Sequence, residues 1–143
     1  MASTVRLPVF GAVLIGGASR RMGTDKALLE VDGVAMAERV AASMERAGAE
    51  RVITVGGAGR GLSRPHVADR FPGDGPLGGI ITALGEFPTG SVLVAACDLP
   101  WVTPEVFAAL IGGIGDADAA VANSGRPEPL CALWQSARCL GPL

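Results

Sequence analysis

The sequence predicts an α/β domain built on an open, mostly parallel sheet, and three observations carry this. Apolar runs of strand length at residues 9–15, 51–55 and 91–96 alternate with stretches of helical periodicity along the 143 residues. Each run stops at a glycine pair or at Cys97-Asp98, so the strand ends open into turns. The chain is 49% hydrophobic and 18% charged with 21 glycines, a composition that suits strands buried on both faces and joined by glycine-rich turns.

Residues 9–15 (VFGAVLI) form the first strand and run into Gly16-Gly17. A polar loop over residues 18–26 and a turn at Asp32-Gly33 precede a helix marked by Met36, Val40 and Met44, which Gly48 stops. Residues 51–55 are short and β-branched and end at Gly56-Gly57; residues 66–68 make a brief strand. A helix over residues 78–84 is expected after the turn at 73–76, and residues 91–96 (SVLVAA) are the clearest buried strand. Thr103, Pro104 and Glu105 supply a hydroxyl cap, a proline in the first turn and an acid near the positive dipole end, so a helix follows to about Ile111. Residues 119–123 and 130–134 add two strands, and no closing helix is expected after them. Ligands of such sheets bind at the carboxyl ends of the strands.

A net charge of −2 provides no broad attraction to a polyanion, and no basic stripe with interleaved aromatics is present, so a small ligand is favoured over nucleic acid. Cys97, Cys131 and Cys139 form no CxxC pair, which argues for reduced thiols in a cytoplasmic protein. Apolar stretches are interrupted well short of about 18 residues, and Arg6 and Pro8 stand where a leader would need an apolar run. Neither secretion nor membrane insertion is expected.

Two polar signals sit at strand ends. The first is residues 14–26 (LIGGASRRMGTDK), a glycine-rich turn leading into Arg20, Arg21 and Lys26. Glycines let main-chain N–H groups approach phosphate oxygens, and the cations neutralise a triphosphate. It is no Walker A loop, since Gly-Lys-Ser/Thr is absent, and no G-x-G-x-x-G fingerprint occurs. A solvated polar loop would satisfy the composition equally well. The second signal is Asp98, directly after the most apolar strand, where a carboxylate can meet Mg²⁺ or simply cap a turn. Cys97 beside it reads as a small buried hydrophobe.

The residue order L-x-G-G-x-S-x-R-M-G-x-D-K closely resembles the signature loop of the MobA-like nucleotidyltransferases. That family includes the molybdenum cofactor guanylyltransferases and cytidylyltransferases, with sugar-nucleotide and isoprenoid relatives further off. The resemblance implies a Rossmann-like three-layer sheet of the nucleotide-diphospho-sugar transferase type. It also implies nucleotide contacts for Leu14, Ile15, Gly16, Gly17, Arg21 and Lys26. C-D-x-P at residues 97–100 looks like the family's magnesium motif, which would make Asp98 the metal ligand.

Asp69 followed by Gly75-Pro76-Leu77-Gly78-Gly79 resembles the segment in which an acid contacts the base, one residue shorter than in the bacterial guanylyltransferase; a surface-turn role fits Asp69 as well. Gly56-Gly57 stand where the family places a base-binding asparagine. Arg126 opens R-P-x-P-L-x-A-x-W, similar to the molybdopterin-linked branch near its acceptor, although a proline-rich turn into an edge strand with Trp134 in the core accounts for the same residues. His66 reads as a strand-end residue.

By this resemblance the chain would be a guanylyltransferase: Arg21, Lys26 and Asp98 serve GMP transfer from GTP to a molybdopterin phosphate, with Mg²⁺ and release of pyrophosphate. Alternatives are a cytidylyltransferase, a sugar-phosphate nucleotidyltransferase, or a truncated homologue that binds a nucleotide without catalysis. Residues 1–143 are expected to form a single domain lacking the family's C-terminal part, which normally adds a helix and an N-x-N-T-P-like segment.

Overall fold

A computed structural model describes residues 7–15, 30–31, 34–57, 64–99 and 102–140. At its centre lies β1 (Val9–Leu14), flanked in parallel by β4 (Val52–Val55) and β6 (Ser91–Ala96). Beyond β4 lies β5 (His66–Val67), also parallel. On the other side β8 (Pro127–Gln135) runs antiparallel to β6, and β7 (Ala119–Asn123) closes the sheet antiparallel to β8, for the order β5-β4-β1-β6-β8-β7. A small ribbon pairs β2 (Glu30–Val31) with β3 (Val34–Ala35).

The period of two in a strand explains the layers. Val13 of β1 and Leu93 and Ala95 of β6 face helix α1 (Met36–Ala47) and helix α3 (Pro104–Gly113), where Val40, Met44 and Phe107 complete one core. Ala12, Val92 and Val94 face the opposite way, toward Ile80, Ala83 and Leu84 of α2 (Gly75–Glu86), with Leu140 of α4 (Ser136–Leu140) at the margin. Burial on both faces is why β1 and β6 read as unbroken apolar runs. Gly11 is required by packing: a Cβ there would stand 2.6 Å from Met44 Sδ and 3.0 Å from Val52 Cγ2, so its absence lets α1 settle onto β1.

Most expected elements are found, with four differences. Helix α2 begins at Gly75, three residues before the expected Gly78, because Pro76 falls in its first turn, where no N–H is needed. Strand β8 extends to Pro127 and Gln135; its prolines lie past Cys131, the last residue paired to β6, and beside the irregularity between Val121 and Ala122. A closing helix, α4, is present where none was expected. The β2–β3 ribbon was not anticipated, and the Asp32-Gly33 turn itself lies outside the described residues. Thr103 caps α3 as expected, its Oγ1 accepting from Val106 N at 3.4 Å.

Candidate functional site

Strand order reverses at β1, whose neighbours β4 and β6 lead the chain away in opposite directions. Such a switch point leaves a crevice at the carboxyl ends of the strands, because the connecting helices depart to opposite faces. Register places Leu14 opposite both Val55 and Ala96, so the ends of all three strands share one rim. The parallel strand β5 ends at that rim before Asp69, and the turn between β7 and the antiparallel β8 returns to it.

The rim has a tightly bonded floor. Ile15, 2% exposed, donates its N–H to the Val55 carbonyl at 2.9 Å, and Cys97 N–H donates to the Leu14 carbonyl at 3.2 Å, tying the exits of β1 and β6 together. Gly57, at φ +60°, lies over this floor so closely that a Cβ would stand 3.1 Å from the Ile15 carbonyl oxygen. The main chain thus passes directly above the point where residues 16–26 depart. Gly16, Gly17, Arg21 and Lys26 lie outside the described residues.

Asp69 is held by one carboxylate oxygen. Its Oδ1 accepts from Phe71 N–H at 2.8 Å and stands 3.4 Å from the buried Thr82 Oγ1, while Oδ2 has no partner among the described residues. Thr82 Oγ1 donates to the Gly78 carbonyl at 2.8 Å and accepts from Arg70 N–H at 3.0 Å, so α2 fixes the loop carrying the acid. The glycines of the G-P-L-G-G segment make this contact: a Cβ on Gly78 would lie 2.7 Å from the Phe71 carbonyl oxygen, and one on Gly79 would lie 3.2 Å from Leu14 Cδ2. Phe71 and Leu77 remain 40% and 58% exposed beside it.

Asp98 occupies the turn after β6 and is exposed, whereas Cys97 is buried. Among the described residues no three His, Cys, Asp or Glu side chains cluster as a metal cage. Mg²⁺ needs none, since it takes one or two carboxylates and fills its shell with water and phosphate oxygens. One solvent-facing carboxylate at a strand exit therefore fits this ion.

Arg126 lies on the β7–β8 turn with its side chain 85% exposed, 3.6 Å from Glu128. The structure thus brings Leu14, Ile15 and Asp98 together at the centre of the rim. Asp69 stands toward the β5 edge, about 14 Å from the β6 exit at three strand spacings, and Arg126 stands toward the β7 edge. His66 is a strand-end residue, its Nδ1 2.9 Å from Thr54 Oγ1, and half-buried Trp134 packs in the α2-side core.

Sequence reasoning missed a groove of about 420 Å³ between α1 and the segment from Cys97 to Pro104. Met36, Val40, Leu99 and Val102 give it an apolar lining, and Arg39, Ser43 and Arg46 follow one face of α1 along it. Their spacing of four and three residues was the available signal, and it is indistinguishable from an ordinary solvated helix face until Cys97, Leu99 and residues 102–104 supply the second wall. Among the described residues, no helix is long and apolar enough to cross a membrane.

The profile of the MobA-like NTP transferase domain matches residues 11–143, and the chain belongs to this family. It is 40% identical over 131 residues to a probable molybdenum cofactor guanylyltransferase of Pelotomaculum thermopropionicum, covering 90% of this chain and 64% of that protein. A probable molybdenum cofactor guanylyltransferase of Chloroflexus aggregans is 34% identical over 148 residues, covering 97% of this chain and 71% of the relative. The crystal structure of molybdopterin-guanine dinucleotide biosynthesis protein A from Archaeoglobus fulgidus superposes with a TM-score of 0.70 at 30% identity, covering 92% of this chain and 71% of that one. The chain thus spans about two thirds of the length of these relatives, 64% in the first case.

Proposed function

We propose that this member of the MobA-like family is a nucleotidyltransferase that moves GMP from GTP to the phosphate of a molybdopterin-type acceptor and releases pyrophosphate. The observation that carries the reading is the joining of two strand exits: Cys97 N–H bonds the Leu14 carbonyl at 3.2 Å, so the start of the glycine-rich loop and Asp98 are held on adjacent strands. The guanylyltransferase relatives support the choice of donor and acceptor.

In this reading an oxygen of the acceptor phosphate attacks the α-phosphorus of GTP in line, and the bond from that phosphorus to the pyrophosphate oxygen breaks. No protein nucleophile is needed, so the chain's contribution is orientation and charge. Main-chain amides of Gly16 and Gly17 with Arg21 and Lys26 hold the triphosphate, and Leu14 and Ile15 form the floor. Asp69 offers Oδ2 to the donor edge of the base, while Gly56 and Gly57 stand where the family resemblance would place a base-binding asparagine. Asp98 would hold Mg²⁺, which when bound supplies neutralisation of phosphate charge. That Cys97, Cys131 and Cys139 are thiols rather than disulfides supports a cytoplasmic setting.

The test is isothermal titration of the chain with GTP, CTP and ATP, with and without Mg²⁺. GTP should bind best and need Mg²⁺; Lys26→Ala should lose triphosphate affinity, and Asp98→Asn should lose the Mg²⁺ dependence. Equal binding of all three nucleotides, or variants that behave as the parent, would refute the assignment.

A further inference from the structure

We propose that the groove between α1 and the residues leading from Cys97 and Leu99 to the start of α3, rather than the turn at Arg126, seats the acceptor, as a phosphate monoester carrying a flat heteroaromatic ring. This rests on the reading of nucleotide transfer at the rim and adds the location of the second substrate. Cys97 and Leu99, the two chain neighbours of Asp98, both line the groove, so it opens beside the carboxylate assigned to the metal. A ligand lying in it presents one end to the reaction centre and extends its body along α1.

The lining specifies that body. A volume of about 420 Å³ falls within the range of small-molecule sites. Met36, Val40, Leu99 and Val102 offer apolar contact to ring faces, and Ser43 offers a hydroxyl to a polar ring edge. Arg39 and Arg46 stand along one wall; guanidinium planes stack on flat rings and attract anions. Arg46 makes no ion pair among the described residues. The groove's acid, Glu38, pairs with Arg64 at 3.2 Å, and Arg64 also pairs with Glu45, so Arg46 is the cation of this wall on which the attraction of an anion rests. Arg126, by contrast, is 85% exposed and stands 3.6 Å from the Glu128 carboxylate.

The experiment uses the full chain and a fluorescent pterin bearing an alkyl phosphate monoester at its 6-position as the probe, titrated in the presence of Mg²⁺ and GTP. Ser43→Trp, which fills the groove, and Arg46→Glu, which reverses its charge, should each weaken probe binding by about tenfold or more. Their affinity for Mg²⁺-GTP should stay within about twofold of the parent, and Arg126→Ala should keep probe binding. Unfolding midpoints near that of the parent establish that both groove variants fold, as expected for the outer face of α1. Parental probe affinity in both groove variants, loss of binding in Arg126→Ala, or no binding by the parent would each overturn the proposal. A parent that fails to bind Mg²⁺-GTP is a separate result, and it overturns the functional reading instead.

Discussion

Replacing Gly57 by alanine tests whether the rim is as tight as its geometry indicates. Gly57 sits at φ +60°, and a Cβ would be 3.1 Å from the Ile15 carbonyl oxygen. The left-handed conformation costs an L-residue about 1–2 kcal/mol. Restricting the unfolded chain returns about 0.4–1 kcal/mol, because alanine has less freedom to lose than glycine. The methyl group also presses on backbone, which cannot rotate away as a side-chain tip can, so the contact adds to the loss. The net destabilisation is about 1–2 kcal/mol, a fall in Tm of about 3–8 °C for a chain of this size.

Gly112→Ala provides the opposite sign. It lies in α3 with nothing within 4 Å of a built Cβ and no left-handed φ, so the same unfolded-state term acts alone and raises stability by about 0.5–1 kcal/mol. Urea or thermal unfolding of the two variants beside the parent is the assay. Titration with Mg²⁺-GTP adds a functional readout, since shifting the Ile15 carbonyl moves the origin of the 16–26 loop. Gly57→Ala should lose about three- to tenfold in affinity and Gly112→Ala none. A Gly57→Ala protein as stable as the parent would refute the close approach, and one that is destabilised yet binds GTP normally would refute the link from the floor to the loop.

Three further outcomes follow from the same structure. Thr103→Ala removes the hydroxyl that caps Val106 N–H at 3.4 Å and should cost about 1 kcal/mol in urea unfolding; no change would show that α3 is capped by solvent. Asp69→Asn keeps an acceptor for Phe71 N–H while removing the charge, so stability should hold within about 0.5 kcal/mol while GTP affinity falls, and unaltered affinity would leave Asp69 a turn residue only. Burial, reinforced by Glu128, pushes the Cys131 thiol up from 9.0 to about 11. Between those values the unfolded chain has released the proton and the folded chain still holds it, so stability falls as pH rises from about 9 toward 11. Unfolding in urea across that range should show a shallower decline in Cys131→Ala, and parallel curves would count against the shifted thiol.

The strands β1, β4 and β6 were legible because a strand covered on both faces must be apolar throughout. The start of α3 was legible because Thr103, Pro104 and Glu105 satisfy a helix end through local chemistry alone. The start of α2 was not, since Gly75, Gly78 and Gly79 look like turn residues. Gly78 and Gly79 are helical residues whose missing side chains let α2 dock on the Phe71 carbonyl and on Leu14, a case of packing overriding propensity. Helix α4 spans only five residues, too few to show a period. The acid directly after β6 pointed to Asp98, whereas Asp69 was picked out only by the family resemblance of the segment around it. The groove was hidden because a site made from one helix face and the distant residues that follow β6 leaves no contiguous trace in sequence.

The topology gives the proposed chemistry a geometric logic. Asp69 is fixed through Thr82 of α2, on one face of the sheet, whereas the groove lies along α1 on the other. The two meet only where β1 and β6 end side by side, at the Leu14–Cys97 bond. An in-line displacement requires the attacking oxygen and the leaving pyrophosphate on opposite sides of the α-phosphorus, so two substrates entering from opposite faces reach that geometry without either displacing the other. Substitutions confined to the groove along α1 should therefore alter the acceptor's KM with the donor's unchanged, and those around Asp69 should do the reverse. A groove variant that raised both together would mean that the substrates share one entrance, and the separation argued from the strand order would fail.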